Sequence, residues 1–342
     1  MTQKILITGG AGFVGCNLAD HFLNKGYEVT VFDNLSRSGT EKNLEWLKAN
    51  HKTNFEFIKS DIRNIDSILK ATKDVDMVFH TAAQVAVTRS MENPREDFEI
   101  NALGTFNVLE AVRQSNSNPI MIFTSTNKVY GNNVNKIPLS EKNTRYEFVD
   151  AKYQNGIPED FSTDADEHTP YGSSKYAADV YVRDFSNIYG LNTVTFRMSC
   201  IYGIRQFGNE DQGWVSYFTI SSFFNKPIVI YGDGKQVRDV LYINDLVKAF
   251  ELASQNIKKT KGKVYNIGGG IKNTLSLLEL LNSLKNLGLN VKYKFDDWRP
   301  ADQKVYISNI KKANEFGWQP KISPEEGVKK LLNWIKENKK LF

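Results

Sequence analysis

The stretch Lys4–Gly15, KILITGGAGFVG, constrains this chain more than any other. A short apolar run, Ile5–Ile7, leads directly into Gly9, Gly12 and Gly15, and the residues that follow carry Leu18, Phe22 and Leu23 at helical spacing. A strand, a glycine turn and a helix in that order leave the backbone free of Cβ atoms where it bends. Such a turn can press its amides against a pyrophosphate. The helix then aims its unpaired N–H groups and positive dipole end at the same anion. A glycine-rich turn without the flanking strand and helix would carry no such implication.

The first half of the chain repeats this alternation. Strands are expected at Ile5–Thr8, Glu28–Phe32, Phe55–Lys59, Met77–His80 and Ile120–Thr124, and again at Thr193–Arg197 and Val264–Ile267. Between them, Phe98–Gln114 places Ile100, Leu103, Val108, Leu109 and Val112 on one helical face. The implied fold is α/β, a Rossmann-type doubly wound parallel sheet. From about residue 200 the pattern turns irregular and aromatic (Tyr202, Phe207, Trp214, Tyr217, Phe218), as in a smaller C-terminal mixed α/β lobe. The expected division is residues 1–200, with about 240–268 returning to the sheet, for a dinucleotide, and 201–342 for a substrate. The polar segment Asn132–Thr169 is expected to be a long loop near the pocket, without a long helix.

A net charge of +5 over 342 residues is too mild and too evenly spread to argue for nucleic acid. Two cysteines make no disulfide framework, and His21, His51, His80 and His168 are too scattered to suggest a metal site. Position 1 runs straight into the first strand, which leaves no room for a signal peptide, and no apolar run is long enough for a bilayer. A cytoplasmic location is expected. The lysines between Lys329 and Lys340 belong to a helix starting at Ser323-Pro324-Glu325-Glu326, and read as its solvated face rather than a membrane anchor.

Two further features carry chemistry. Asp33 closes the second strand, where its carboxylate can accept both ribose hydroxyls of an adenine nucleotide and would repel a 2′-phosphate. NAD is therefore expected rather than NADP. Asp61 and Ile62, after the third strand, suit the adenine edge. The segment YGSSK places Tyr171 and Lys175 one helical turn apart. A neighbouring ammonium favours the phenolate by Coulomb attraction, so Tyr171 can act as general base toward a hydroxyl, while Lys175 anchors the nicotinamide ribose. Thr126 leaves the fifth strand where its hydroxyl could bridge the tyrosine and a substrate oxygen.

Taken together, TGGAGFVG, Asp33, HTAAQ (His80–Gln84), NALGTFNVLEA (Asn101–Ala111), STNKVYG (Ser125–Gly131) and YGSSK resemble the extended short-chain dehydrogenase/reductase family, in its nucleotide-sugar epimerase branch. The resemblance continues through GDGKQVRDVLYINDL, YNIGGG and DWRPADQ, and so covers nearly the whole chain. It implies NAD against Gly9, Gly12, Phe13, Val14, Asp33, Asn34, Asp61 and Ile62. It extends that contact to Ala82, Ala83, Gln84, Asn101, Ser125, Tyr171, Lys175 and Met198. It places a nucleotide-diphospho-sugar against Thr126, Asn127 and Cys200, with Arg238 and Arg299 on the diphosphate. Asp302 would reach the nucleotide ribose, and Gly213, Trp214, Val215, Ile230 and Tyr231 would flank the base. A guanidinium fork does match phosphate geometry.

The insert Arg145–Asp164, the stretch Ile201–Val215 and WRPADQ are most similar to the members that act on CDP-sugars at C2. That likeness implies surface-polysaccharide (O-antigen) synthesis and a homodimer or homotetramer. Two positions depart from the pattern: Ala301 stands where glycine is usual, and Met198 follows Arg197 where a histidine is expected. The dehydratases of the family need an acid–base pair after the strand threonine. Here Asn127 and Lys128 follow Thr126, and neither is a carboxylic acid. A UDP-sugar 4-epimerase shares the fold and the base, and is the neighbouring reading. A non-catalytic NAD-binding protein on this fold is the reading from another class, and the presence of both Tyr171 and Lys175 argues against it.

Overall fold

The computed structural model describes residues 2–299 and 301–342. Five strands from the first half, β1 (Lys4–Thr8), β2 (Glu28–Asp33), β3 (Phe55–Lys59), β4 (Met77–His80) and β5 (Ile120–Thr126), join Asn192–Met198 and Val264–Ile267 in one seven-stranded sheet. Its order is 264–267, 192–198, β5, β4, β1, β2, β3, and every pairing is parallel. Each expected strand of this sheet forms, several with an extra residue at an end.

Both faces of the sheet are covered, as a parallel sheet requires. Within β1, Ile5 and Ile7 face one cluster with Phe22, Phe79 and Phe250, while Leu6 faces the other with Val78, Val108, Val112 and Val182. The period-2 alternation of a strand thus feeds two apolar layers rather than one. The first layer is built on α1 (Phe13–Asn24) and helix Ile243–Gln255, the second on helices Gly104–Gln114 and Pro170–Tyr189.

The sheet order reverses between β1 and β4, which opens a crevice at their carboxyl ends. Helix Pro170–Tyr189 borders it. Thr169 caps its start by accepting from the Gly172 amide at 3.2 Å, Pro170 opens it, and Gly190 at φ 71° ends it. The helical stretch expected from Phe98 begins earlier, at Pro94, and passes through a π-helical segment, Glu99–Leu103. The polar segment after β5 holds a 3-10 turn, Asn127–Lys136, and a small hairpin, Leu139–Glu141 with Tyr146–Phe148.

The second lobe is mixed. Val237–Tyr242 pairs antiparallel with Thr274–Ser276 and parallel with Cys200–Tyr202 and Val305–Tyr306, and Ile228–Tyr231 pairs parallel with Tyr293–Asp296. The C-terminal helix Pro324–Glu337 starts at its Ser323 cap and buries Val328, Leu331, Leu332 and Ile335 while its lysines face out. Among the described residues, no helix is long and apolar enough to cross a membrane.

Candidate active site

A cavity of about 770 Å³ runs from the glycine turn, across the ends of β4 and β5, into the second lobe. Gly9, at φ 68°, packs so closely under the loop after β4 that a Cβ there would stand 2.6 Å from the Ala82 nitrogen. Gly12 caps α1 without any side-chain hydrogen bond, so the first amides of that helix, at Phe13 and Val14, remain available to an anion. Asp33 is held from behind: its Oδ2 accepts from the Ala11 amide (3.1 Å) and Oδ1 from Leu35 (2.8 Å). Burial pushes its carboxyl above the ordinary range, and these amide bonds oppose the shift. Asn34 donates to Asp61 Oδ2 (2.8 Å), and Arg63 donates to both Asp61 oxygens, which holds that carboxyl down at about 2. A dinucleotide fits this set: a backbone cradle that Cβ atoms would fill, a ribose-directed carboxylate, and a buried ammonium without a partner.

That ammonium is Lys175. Its Nζ makes no hydrogen bond among the described residues and lies 4.2 Å from the centre of the Phe123 ring. Burial brings it down to about 7, against the opposing fields of Asp179 and Asp97. Tyr171, one turn earlier, lines the same cavity as Thr126, and its backbone N–H donates to Ser90 Oγ at 3.2 Å. The expected lowering of the phenol by the lysine does not carry the balance in the protein alone. Burial dominates and pushes Tyr171 up to about 12, with the nearby Thr126 hydroxyl and the Arg37 charge working the other way. Helical spacing brings the pair together; the depth of the helix in the molecule decides what its field does.

Most of the residues expected at the site line this cavity: the glycine turn, Asp33, Asn34, Asp61, Ile62, Ala82–Gln84, Ser125–Asn127, Tyr171, Lys175, Met198, Cys200, Gly213–Val215, Tyr231, Arg238, Arg299 and Asp302. Met198 is the register partner of Thr126 across the β5 pairing, and both line the cavity. Ser125 points its hydroxyl at Asp179 Oδ2 (2.8 Å), an acid already paired with Arg197 at 3.0 Å. Arg238 donates to Asp302 Oδ1 at 2.6 Å. Arg299 lies 4.0 Å over the Tyr231 ring and donates to the Glu210 carbonyl at 3.1 Å. The indole N–H of Trp214 points at Cys200 Sγ, 3.5 Å away, and burial pushes that thiol up.

Two expected contacts are turned away from the cavity. Ile230 is fully buried, because strand alternation sends Val229 and Tyr231 to the wall and Ile230 into the core. Asn101 is buried behind the loop after β4, exchanging bonds with the Gln84 amide (3.0 Å) and carbonyl (3.0 Å). It shapes the cofactor wall without lining it. Ala301 adopts φ 55°, the left-handed conformation that accounts for glycine being usual there.

Three charged side chains at or beside the cavity meet neighbours far along the chain. Arg37 reaches Gln212 across the cleft and faces Tyr171; Lys128 lies near Asp302, Arg238 and Cys200. Asp97 accepts from Gln84, Asn101 and Ser174 beneath the Tyr171–Lys175 turn. The only local signal for Asp97 is its i,i+4 spacing to Asn101, and its other partners are distant in the chain.

The chain is similar to known proteins along nearly its whole length. The chain is 48% identical to a CDP-paratose 2-epimerase of Salmonella typhi, over 97% of this chain and 99% of the relative. It superposes on UDP-glucose 4-epimerase from Thermotoga maritima, solved with UDP-glucose, at TM-score 0.81 and 31% identity, covering 98% and 99% of the two chains. A UDP-glucuronic acid 4-epimerase from Bacillus cereus, solved with UDP-glucuronic acid and NAD, matches at TM-score 0.81 and 27% identity over 98% and 99%. Residues 6–331 match the family described as GDP-mannose 4,6 dehydratase, and with these relatives the chain belongs to that family, among the nucleotide-sugar epimerases of the extended short-chain dehydrogenase/reductases.

Proposed function

We propose that this protein is an NAD-dependent isomerase that inverts C2 of a nucleotide-diphospho-sugar, converting CDP-paratose to CDP-tyvelose. The observation that carries this reading is that Tyr171 and Thr126 line one cavity with Lys175, a buried ammonium one helical turn from Tyr171 that has no hydrogen-bond partner among the described residues. The pair lines one cavity with the glycine turn at one side and Arg238 and Arg299 among the other lining residues. The 48% identity to a CDP-paratose 2-epimerase selects the sugar and the carbon. Asn127 and Lys128 after Thr126 leave no carboxyl pair to expel water, which sets the chain apart from the dehydratase chemistry in the family's description.

The amides at the start of α1 hold the dinucleotide pyrophosphate, and Asp33 holds its adenosine ribose. Lys175 donates to the nicotinamide ribose and supplies positive charge beside Tyr171. NAD⁺ bound there supplies a reversible hydride acceptor, and a positive ring that draws the phenol toward its anion. Tyr171 would take the carbinol proton and later return it to the same oxygen, while C2 would give up its hydride to bound NAD⁺ from one face and, once the sugar has turned, regain it on the other, which inverts C2. Arg238 and Arg299 exchange their carboxylate and carbonyl partners for the diphosphate, which holds the nucleotide while the sugar turns.

Residues 1–200 with about 240–268 serve as the cofactor unit and 201–342 as the substrate lobe. Helices Pro94–Phe98 and Pro170–Tyr189 pack together and leave Phe98, Leu103, Tyr181 and Ile188 exposed on the nearby surface, an apolar face suited to a homodimer or homotetramer. We assign the enzyme to the cytoplasm, in surface-polysaccharide synthesis. The test is to incubate the purified protein, without added NAD, with CDP-paratose, UDP-glucose and UDP-N-acetylglucosamine. Inversion at C2 of the CDP-sugar, lost by at least about a thousandfold in Tyr171→Phe, is expected from the removal of the general base. Turnover of a UDP-sugar alone would replace this reading with a 4-epimerase. Tyr171→Phe retaining wild-type activity would remove the assigned base.

A further inference from the structure

Lys175 sits among four titratable neighbours, and only one of them offers it an uncompensated negative charge. Tyr171 and Asp179 belong to its own helix, His80 ends β4, and Asp97 lies on helix Pro94–Phe98. His80 is fully buried between the hydroxyls of Thr8 (2.6 Å) and Thr105 (2.9 Å), and burial holds it down to about 3, so it is neutral. Asp179 is paired with Arg197 at 3.0 Å and Arg183 at 3.1 Å, so two guanidinium groups answer its charge. Asp97 is 1% exposed, and its hydrogen-bond donors are the neutral side chains of Gln84 (2.8 Å), Asn101 (3.1 Å) and Ser174.

Those donors come from both halves of the site. Ser174 immediately precedes Lys175. Gln84 lies in the cofactor wall and closes its own turn on Ala86 through bonds of 2.6 and 2.9 Å. Asn101 sits one turn after Asp97, inside the π-helical segment Glu99–Leu103, where a π insertion turns it toward the loop. A carboxylate this deep, without a cation bonded to it, is costly unless a nearby charge answers it. The partnerless ammonium of Lys175 is that charge.

We propose that Asp97 is a positioning residue, a buried anion that locks the catalytic helix to the cofactor loop and keeps Lys175 charged while it has no hydrogen-bond partner. Burial brings Lys175 down to about 7, and the fields of Asp179, whose charge Arg197 and Arg183 answer, and of Asp97, which no cation bonds, oppose this. Removing that charge therefore lets Lys175 lose its proton at lower pH. This inference rests on the epimerase reading for only one of its two readouts.

The experiment measures NAD⁺ affinity by tryptophan fluorescence, and kcat with CDP-paratose, from pH 6 to 9, for wild type, Asp97→Asn and Ser174→Ala. Asp97→Asn keeps the shape and one acceptor oxygen but removes the charge. Its alkaline limb is expected about one pH unit lower in both readouts, about tenfold at a fixed alkaline pH, with values within about threefold of wild type at pH 6. Ser174→Ala removes one bond and keeps the charge, so its limb should coincide with wild type. An unmoved limb in Asp97→Asn, or an equal displacement in Ser174→Ala, overturns the proposal. If Asp97→Asn does not fold, the Ser174→Ala limb decides: coincidence supports the charge role and displacement overturns it. Should wild type leave CDP-paratose unchanged, the function fails, while the NAD⁺ limb still decides the role of Asp97.

Discussion

Replacing Gly15 with alanine tests the cofactor cradle through one atom. The new Cβ would stand 2.3 Å from the Gly9 carbonyl oxygen and 2.5 Å from the Gly10 Cα. Non-bonded heavy atoms need about 3.5 Å, so either the turn or α1 must retreat by about 1 Å. The turn cannot yield alone. The Gly9 amide donates to Phe32 O at 2.8 Å, and the Gly9 carbonyl accepts from Gly12 N–H at 3.0 Å. Overpacking of this kind costs about 1–3 kcal/mol of stability. A 1 Å displacement at the start of α1 also breaks at least one amide bond to a charged phosphate, worth about 1.5–3 kcal/mol, or roughly 10–100-fold in NAD⁺ affinity. Gly26→Ala is the control. It sits at φ 83° with open space around its Cβ, so it should cost about 1 kcal/mol of stability and leave NAD⁺ binding intact. Calorimetric titration with NAD⁺ and urea unfolding measure the two quantities separately. A Gly15→Ala protein that binds NAD⁺ as tightly as wild type would refute the cradle.

Three other outcomes are expected. Asp33→Asn should weaken NAD⁺ binding about tenfold and narrow the preference for NAD⁺ over NADP⁺, because the charge that repels a 2′-phosphate is gone; competition binding measures the ratio. Glu251 receives Lys25, Lys248 and His21, whose bonds and charges outweigh its burial and hold its carboxyl at about 2, below its ordinary 4.5. Its stabilisation is therefore present above about pH 4.5 and is lost as the pH falls toward 2. Glu251→Gln should cost on the order of 1–3 kcal/mol at pH 7, and the gap from wild type should close in acid, as read by urea midpoints across pH. Leu103→Glu with Ile188→Glu places charge on the exposed apolar face and should yield a monomer by light scattering, with the helices intact by circular dichroism.

What could be read along the chain follows from the range of the forces involved. The strand–glycine–helix turn, the βα alternation and the Tyr171–Lys175 spacing are local, because backbone geometry repeats every two or 3.6 residues whatever surrounds it. So is the Ser323 start signal, a bond spanning three residues. The exclusion of Ile230 from the cavity and the admission of Val229 depend instead on which side of a two-residue alternation meets the core.

By itself, then, the sequence determined the fold class and two local spacings, the glycine turn that opens α1 and the single helical turn between Tyr171 and Lys175. Tertiary structure alone decided their electrostatics. Asp97 is brought to Ser174 across 77 positions, Arg37 to Gln212 across 175, and Arg238 to Asp302 across 64. Charges act through space and burial, and neither distance nor depth is written in the order of residues.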